Sequence, residues 1–220
     1  LTIDMPRSYL FAHPEDELDE LTKQRFEALL QRRLQGEPMS YISGIQEFWS
    51  RELIVSPATL IPRPETELLV EIALREVPRQ AEWQILDLGT GSGAIAIAIA
   101  SERPLSHVTA TDISDDALAV AAENVRHNDL ANITCLKGRW CEPVTGHTFD
   151  LIVSNPPYVR EDDEALQKLR HEPLSALASG ADGLRDIRLL AVECIPLLAN
   201  QGWLMLEHGG RLVGRYLESF

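Results

Sequence analysis

The sequence has little sulfur. Cys135, Cys141 and Cys194 are its three cysteines in 220 residues. They form neither a C-x-x-C pair nor an even set, which argues against a disulfide scaffold and a zinc knuckle and points to reduced thiols in a cytoplasmic protein. Long apolar runs are absent too: nothing approaches the roughly 18 residues of a membrane span. The longest candidate, Ile95 to Ala100, reads as part of an amphipathic helix, so a soluble chain is expected. Positive charge is scarce, with 20 Lys plus Arg against 34 Asp plus Glu and a formal net charge of −14. A protein that grips a phosphate backbone usually shows a basic surface, so a direct nucleic-acid substrate is not expected, although net charge does not say where the cations gather. No internal repeat supports a solenoid or propeller. Position 1 is Leu, and no basic region with an apolar run and a cleavage site precedes Asp4, so the chain reads as starting inside a longer gene product.

What is present is enough for one substantial core and a small appended lobe. From Glu15 to Gln35, apolar residues at Leu18, Leu21, Phe26, Leu29 and Leu34 predict a surface helix with one buried face, ended by Gly36 and Pro38. Phe48, Trp49 and Leu53 to Val55 suggest a short hairpin or linker before the proline-punctuated stretch from Pro57 to Pro64. A helix over Glu65 to Val77 then opens the main domain. Five β-prone segments follow: Gln84–Leu88, His107–Thr111, Ile133–Leu136, Phe149–Ser154 and Trp203–Glu207. Helical patterns separate most of them, the clearest running from Ser114, a capping residue, to Asn128. Such alternation predicts an α/β fold with a mostly parallel sheet covered by helices.

Three features carry chemistry. Asp87-Leu-Gly89-Thr90-Gly91-Ser92-Gly93 follows a strand and opens a helix, as a loop does that brings backbone close to a ligand. It also satisfies G-x-G-x-x-A through Gly89, Gly91 and Ala94, so alone it does not separate a dinucleotide from S-adenosylmethionine. Asp112, 19 residues beyond Gly93 at the end of the second strand, is placed to accept hydrogen bonds from ribose hydroxyls, which fits either. The discriminating element is Asn155-Pro156-Pro157-Tyr158 at the end of the fourth strand. Successive prolines stiffen the backbone, so the Asn155 side chain and the Pro156 carbonyl can converge on one NH2 group. The lone pair of an amide or aryl NH2 is delocalised. Two accepted hydrogen bonds can orient such a nitrogen toward a methyl donor, and positioning then replaces strong base catalysis. Tyr158 offers a ring face to a flat acceptor. Glu207 and His208, near a strand terminus, are read as structural. No metal site is expected.

These residues resemble the N-methyltransferases with an Asn/Asp-Pro-Pro-Tyr motif, which modify glutamine, adenine or guanine nitrogen. Gly36-Glu-Pro38-Met, Gly44-Ile-Gln-Glu-Phe48-Trp, Ser56 to Glu67, His171-Glu-Pro173 to Leu177 and Leu206-Glu-His-Gly209 narrow the likeness. Over nearly its whole length the chain resembles the release-factor glutamine methyltransferases, the HemK or PrmC family. The resemblance implies a Rossmann-like class I methyltransferase that uses S-adenosylmethionine, yields S-adenosylhomocysteine and methylates the glutamine of Gly-Gly-Gln in peptide-chain release factors. By the same resemblance Gly89, Thr90, Gly91, Ser92 and Gly93 hold the methionine moiety, Asp112 the ribose and Trp140 the adenine. Asn155, Pro156, Pro157 and Tyr158 take the acceptor amide, with Asn155 also approaching the cofactor. Arg139 departs from the family's usual acidic residue. The implied organisation is a remnant of an N-terminal helical docking domain over 1–43, a hairpin linker over 44–63 and the methyltransferase domain over 64–220. Only 12 residues follow His208, so truncation at both ends is expected. So is a monomer. The ribosomal-protein glutamine methyltransferases and nucleic-acid exocyclic-amine methyltransferases are the alternatives.

Overall fold

The computed structural model describes Thr2 and residues 5–209. The chain divides into two compact units, Leu1–Gly44 and Ile45–Phe220. The first holds three helices, α1 (Arg7–Ala12), α2 (Glu20–Leu34) and α3 (Met39–Ser43). Asp19 caps α2: its carboxylate accepts the Thr22 amide at 2.9 Å and the Thr22 hydroxyl at 2.7 Å. The helix therefore starts later than the apolar spacing from Glu15 suggests. Its expected buried face is also corrected, because no residue of α2 is buried and Leu21, Phe26, Leu30 and Leu34 are exposed.

The second unit opens with an antiparallel hairpin, β1 (Ile45–Phe48) and β2 (Arg51–Ile54), whose two turn residues, Trp49 and Ser50, both have positive φ. This mirror-image turn matches strand twist, and glycine usually supplies it. Helix α4 (Glu67–Glu76) follows a short 3-10 turn over Pro64–Thr66. Then come β3 (Gln84–Leu88), α5 (Ala94–Glu102), β4 (His107–Asp112), α6 (Asp115–His127), β5 (Ile133–Lys137), β6 (Phe149–Ser154), α7 (Ala165–Lys168), α8 (Arg185–Glu193) and β7 (Leu198–Leu206). Five strands pair in parallel in the order β5-β4-β3-β6-β7, which is the expected α/β class. Strand β7 begins five residues before Trp203, across a register irregularity opposite Phe149 and Leu151. As expected, Ser114 caps α6, accepting the Ala117 amide at 3.2 Å.

Successive residues of β3 serve opposite faces of the sheet. Ile85 joins a core with α4 and α5, whereas Leu86 and Leu88 join one that includes Leu190 and Cys194 of the α8 region. Helix α5 is not amphipathic, contrary to expectation. Every residue from Ala94 to Ala100 is buried: at helical spacing an Ala/Ile alternation puts apolar side chains on every face, with Ile97 opposite Ile95 and Ile99, so no polar face is left. Each such isoleucine contributes about 1.5–3 kcal/mol of burial. Among the described residues no helix is long and apolar enough to cross a membrane.

Candidate active site

The register of the central pair sets the site. Leu88 of β3 lies opposite Ser154 of β6, and the buried Ser154 hydroxyl donates to the Leu88 carbonyl at 2.7 Å. The next residues along each strand, Gly89 and Asn155, therefore leave the sheet side by side at its carboxyl edge. Strand order also reverses between β3 and β6, and open parallel sheets form their ligand crevices at such a switch point.

On the β3 side, Gly89, Gly91 and Gly93 all have positive φ. Asp87, fully buried beneath the loop, accepts the Thr90 hydroxyl at 2.6 Å and the Ala96 amide at 3.2 Å through Oδ2. Burial, helped by the charge of Asp112, pushes the Asp87 carboxyl up to about 6 against the pull of those two hydrogen bonds. Asp112 accepts the Gly91 amide and the Ser114 amide, one on each oxygen, both at 2.9 Å. It is thus a turn aspartate as well as a cavity residue, and each oxygen keeps a lone pair for a further donor. Trp140 sits at φ 47°, an uncommon conformation for so large a side chain. Its ring lies so close to Gly89 that a Cβ there would fall 3.1 Å from it. Arg139 is exposed.

On the β6 side, Pro156 and Pro157 are buried and Asn155 is half-buried. The Asn155 amide nitrogen donates to the Thr66 hydroxyl at 3.2 Å. The Tyr158 hydroxyl donates to Glu207 at 3.3 Å. Burial first, then the Glu207 charge and hydrogen bond, raise the Tyr158 phenol.

One cavity of about 500 Å³ joins the two sides. It is lined by Gly89, Thr90, Gly91, Ser92, Asp112, Trp140, Asn155 and Pro157 among the residues anticipated from sequence. Gly93, Pro156 and Tyr158, also anticipated, are not among its lining residues. Gly93 leads into α5, where a Cβ would meet Ile97 and Ala121.

Other residues escaped the sequence reading. Asn124, fully buried, accepts the Ile54 amide at 2.6 Å and donates to the Ile54 and Ser92 carbonyls at 2.9 and 2.8 Å, tying the hairpin to the glycine loop. Its place in the stripe Ala117, Ala121, Asn124 was the available signal, a polar residue on the buried face of α6. Glu172, also buried, accepts the Ile61 amide at 3.1 Å and pairs with Arg63, which lines the cavity. The proline-rich segment and the His171-Glu-Pro173 loop, far apart in sequence, thereby clasp each other. Glu207, read as merely structural, lies among Tyr158, Thr66 and Asn155. Burial raises its carboxyl, and hydrogen bonding from those three opposes the rise.

The Methyltransferase small domain family matches residues 64–182, and the PrmC N-terminal domain family matches residues 2–44. A release factor glutamine methyltransferase of Coxiella burnetii is 47% identical over 92% of this chain and 73% of its own length. One from Xylella fastidiosa is 48% identical over 94% of this chain and 76% of its own. The chain belongs to the release factor glutamine methyltransferase family. A methyltransferase structure from Pyrococcus furiosus, 20% identical with a TM-score of 0.53 over 80% of this chain and 76% of that one, shares the family's fold.

Proposed function

We propose that this protein transfers a methyl group from S-adenosylmethionine to the side-chain amide nitrogen of the glutamine in the Gly-Gly-Gln motif of peptide-chain release factors. The observation that carries the reading is the shared cavity: the glycine loop after β3 and the Asn155-Pro156-Pro157-Tyr158 turn after β6 meet across the switch point.

The residues present fit the donor. A cavity of about 500 Å³ lies within the range of roughly 300–1,000 Å³ usual for small-molecule sites. A Cβ at Gly91 would meet no atom within 4 Å, so a ligand can approach that backbone. Gly89 to Ser92 would hold the methionine end, with Gly93 shaping the turn. Asp112 would take ribose hydroxyls on its remaining lone pairs, and Trp140 would flank the adenine. S-adenosylmethionine supplies an electrophilic methyl group and leaves as S-adenosylhomocysteine.

For the acceptor, Asn155 Oδ1 and the Pro156 carbonyl would each accept one N–H of the glutamine amide. That turns the nitrogen toward the methyl donor and favours the pyramidal geometry in which its lone pair is available. Tyr158, anchored by Glu207, would support the turn from behind. No strong base is required, because the nitrogen becomes acidic as it is alkylated and its surplus proton passes to solvent water. A dinucleotide oxidoreductase would account for the loop and Asp112 but gives Asn155 no task. The names of the relatives favour a release factor over a ribosomal protein, and the net charge of −14 disfavours a nucleic acid. We place the reaction in the cytoplasm, carried out by a monomer without metal.

The deciding experiment supplies methyl-labelled S-adenosylmethionine and a release factor. Label on that factor, lost when its Gly-Gly-Gln glutamine becomes Ala and when the enzyme carries Asn155→Ala, supports the assignment. Label that persists on the altered factor, or appears on RNA or a ribosomal protein, overturns it.

A further inference from the structure

An asparagine that must accept hydrogen bonds from a substrate NH2 has a problem of its own. Its amide has two faces of similar shape, one a carbonyl oxygen and the other an NH2 group, and only one of them can accept. The surroundings must decide which face is presented. Here the deciding group is a carboxylate. Asn155 Nδ2 donates to Thr66 Oγ1 at 3.2 Å. Thr66 is buried, and Thr66, Asn155 and Tyr158 gather around Glu207, where they hold its carboxyl down against the larger raising effect of burial. Glu207 Oε1 accepts the Tyr158 hydroxyl at 3.3 Å, while the buried Oε2 is left without a hydrogen-bond partner among the described residues and faces this cluster as an open acceptor.

We infer that Glu207 and Thr66 are positioning residues: together they fix the orientation of the Asn155 amide, turning Nδ2 inward and Oδ1 toward the acceptor NH2. An ionised carboxylate only accepts, so it favours the NH2 face of Asn155 on its side. Thr66 has one hydroxyl proton. When that proton is given to Glu207, Thr66 can only accept from Asn155. A reversed amide would set the Asn155 oxygen against the Glu207 oxygens, lone pairs facing lone pairs, and would offer two N–H donors to a substrate that also brings donors. The arrangement spans three chain segments that meet at the carboxyl edge of the sheet: the turn before α4, the end of β6 and the end of β7. This inference rests on the proposed role of Asn155 in holding the glutamine amide.

The test compares Thr66→Val, Thr66→Ser and Glu207→Gln with Asn155→Ala in the full chain. It measures kcat and KM with a release factor, the Kd for S-adenosylhomocysteine and the melting temperature. Valine keeps the shape of Thr66 but accepts nothing. Thr66→Val should lower kcat about 10- to 100-fold, the scale of a misoriented reacting group. KM for the release factor and the Kd should stay within about threefold, and Thr66→Ser should regain most of the lost kcat. Glu207→Gln should lower kcat by about 3- to 10-fold, because its own amide no longer dictates which face of Asn155 turns inward. Wild-type kcat in Thr66→Val, with Asn155→Ala inactive, overturns the inference and leaves the role of Asn155 standing. So does a loss in Thr66→Val that tracks melting temperature and ligand affinity and that serine does not repair, since Thr66 then only holds the fold. Full activity in Asn155→Ala overturns the reading beneath it.

Discussion

Asn124 donates its side-chain amide to the carbonyl of Ser92 at 2.8 Å, so a residue on α6 holds the glycine loop from below. The same amide closes both backbone groups of Ile54. One side chain thus fixes the hairpin and the cavity wall to the same helix.

Truncation at this point leaves two carbonyls and an N–H unsatisfied in the interior. Asn124→Ala is expected to lower stability by about 2–4 kcal/mol, read from the midpoint of denaturant unfolding. Asn124→Asp should also destabilise, because a carboxylate accepts the Ile54 amide but donates to neither carbonyl. An unchanged midpoint in both variants would show that the hairpin and loop need no such tie.

The Arg63–Glu172 pair joins a largely buried carboxylate to a partly exposed cation. Removing one partner strands the other, and Arg63→Met should cost about 1–3 kcal/mol, less than a fully buried pair would. Because Arg63 lines the cavity and Glu172 also holds the Ile61 amide, Glu172→Gln should weaken S-adenosylmethionine binding as well. A double-mutant cycle, run on stability and on affinity, measures the coupling. A coupling near zero would mean that the two segments are held together by other contacts.

Gly89 carries two constraints at once, a positive φ and a tryptophan ring 3.1 Å from where its Cβ would stand. Gly89→Ala should weaken S-adenosylhomocysteine binding at least about tenfold, since the Trp140 ring must shift and the backbone is strained. Gly146 is the control. It has φ 84°, no atom within 4 Å of a built Cβ, and no place in the cavity lining. Gly146→Ala should cost about 1 kcal/mol of stability and leave affinity unchanged by calorimetry.

Asp87 gives the fold a pH signature. Its carboxyl is raised to about 6 from 3.8, so between those values the folded state binds more protons than the unfolded. The stabilisation is fully present below the unfolded value and is lost as pH rises through the folded one. Relative to Asp87→Asn, the wild type should lose on the order of 2–3 kcal/mol between about pH 4 and pH 7. Unfolding midpoints of both proteins across that range measure the difference. Parallel pH curves would place the carboxyl in a better solvated setting.

Much of the fold and eight residues of the cavity lining were legible in sequence because they depend on local rules. A glycine loop after an apolar strand, a serine cap before acidic residues at α6 and a double proline after β6 each announce themselves within a few positions. What escaped depends on pairing at long range. Thr66 and Glu207 are 141 positions apart in the numbering, and only the placement of β7 beside β6 gives Glu207 its neighbours. Asn124 shows the intermediate case: helical spacing from Ala117 and Ala121 was an available signal of burial, but its partners lie on two other segments. The amphipathic reading of Ile95 to Ala100 failed for a related reason: a helix packed on every side has no polar face to reveal its period.

The same all-round burial has a kinetic meaning. Ala94 and Ile95 face the cavity, and the five residues behind them are locked between sheet and helices. Amide protons in α5 should therefore exchange with solvent only when the whole domain opens, whereas those near Arg63 and Pro173 should exchange through smaller, faster openings. The floor of the cavity is then rigid during turnover. Whatever timing the site has, in admitting a donor or releasing the spent one, belongs to its rim.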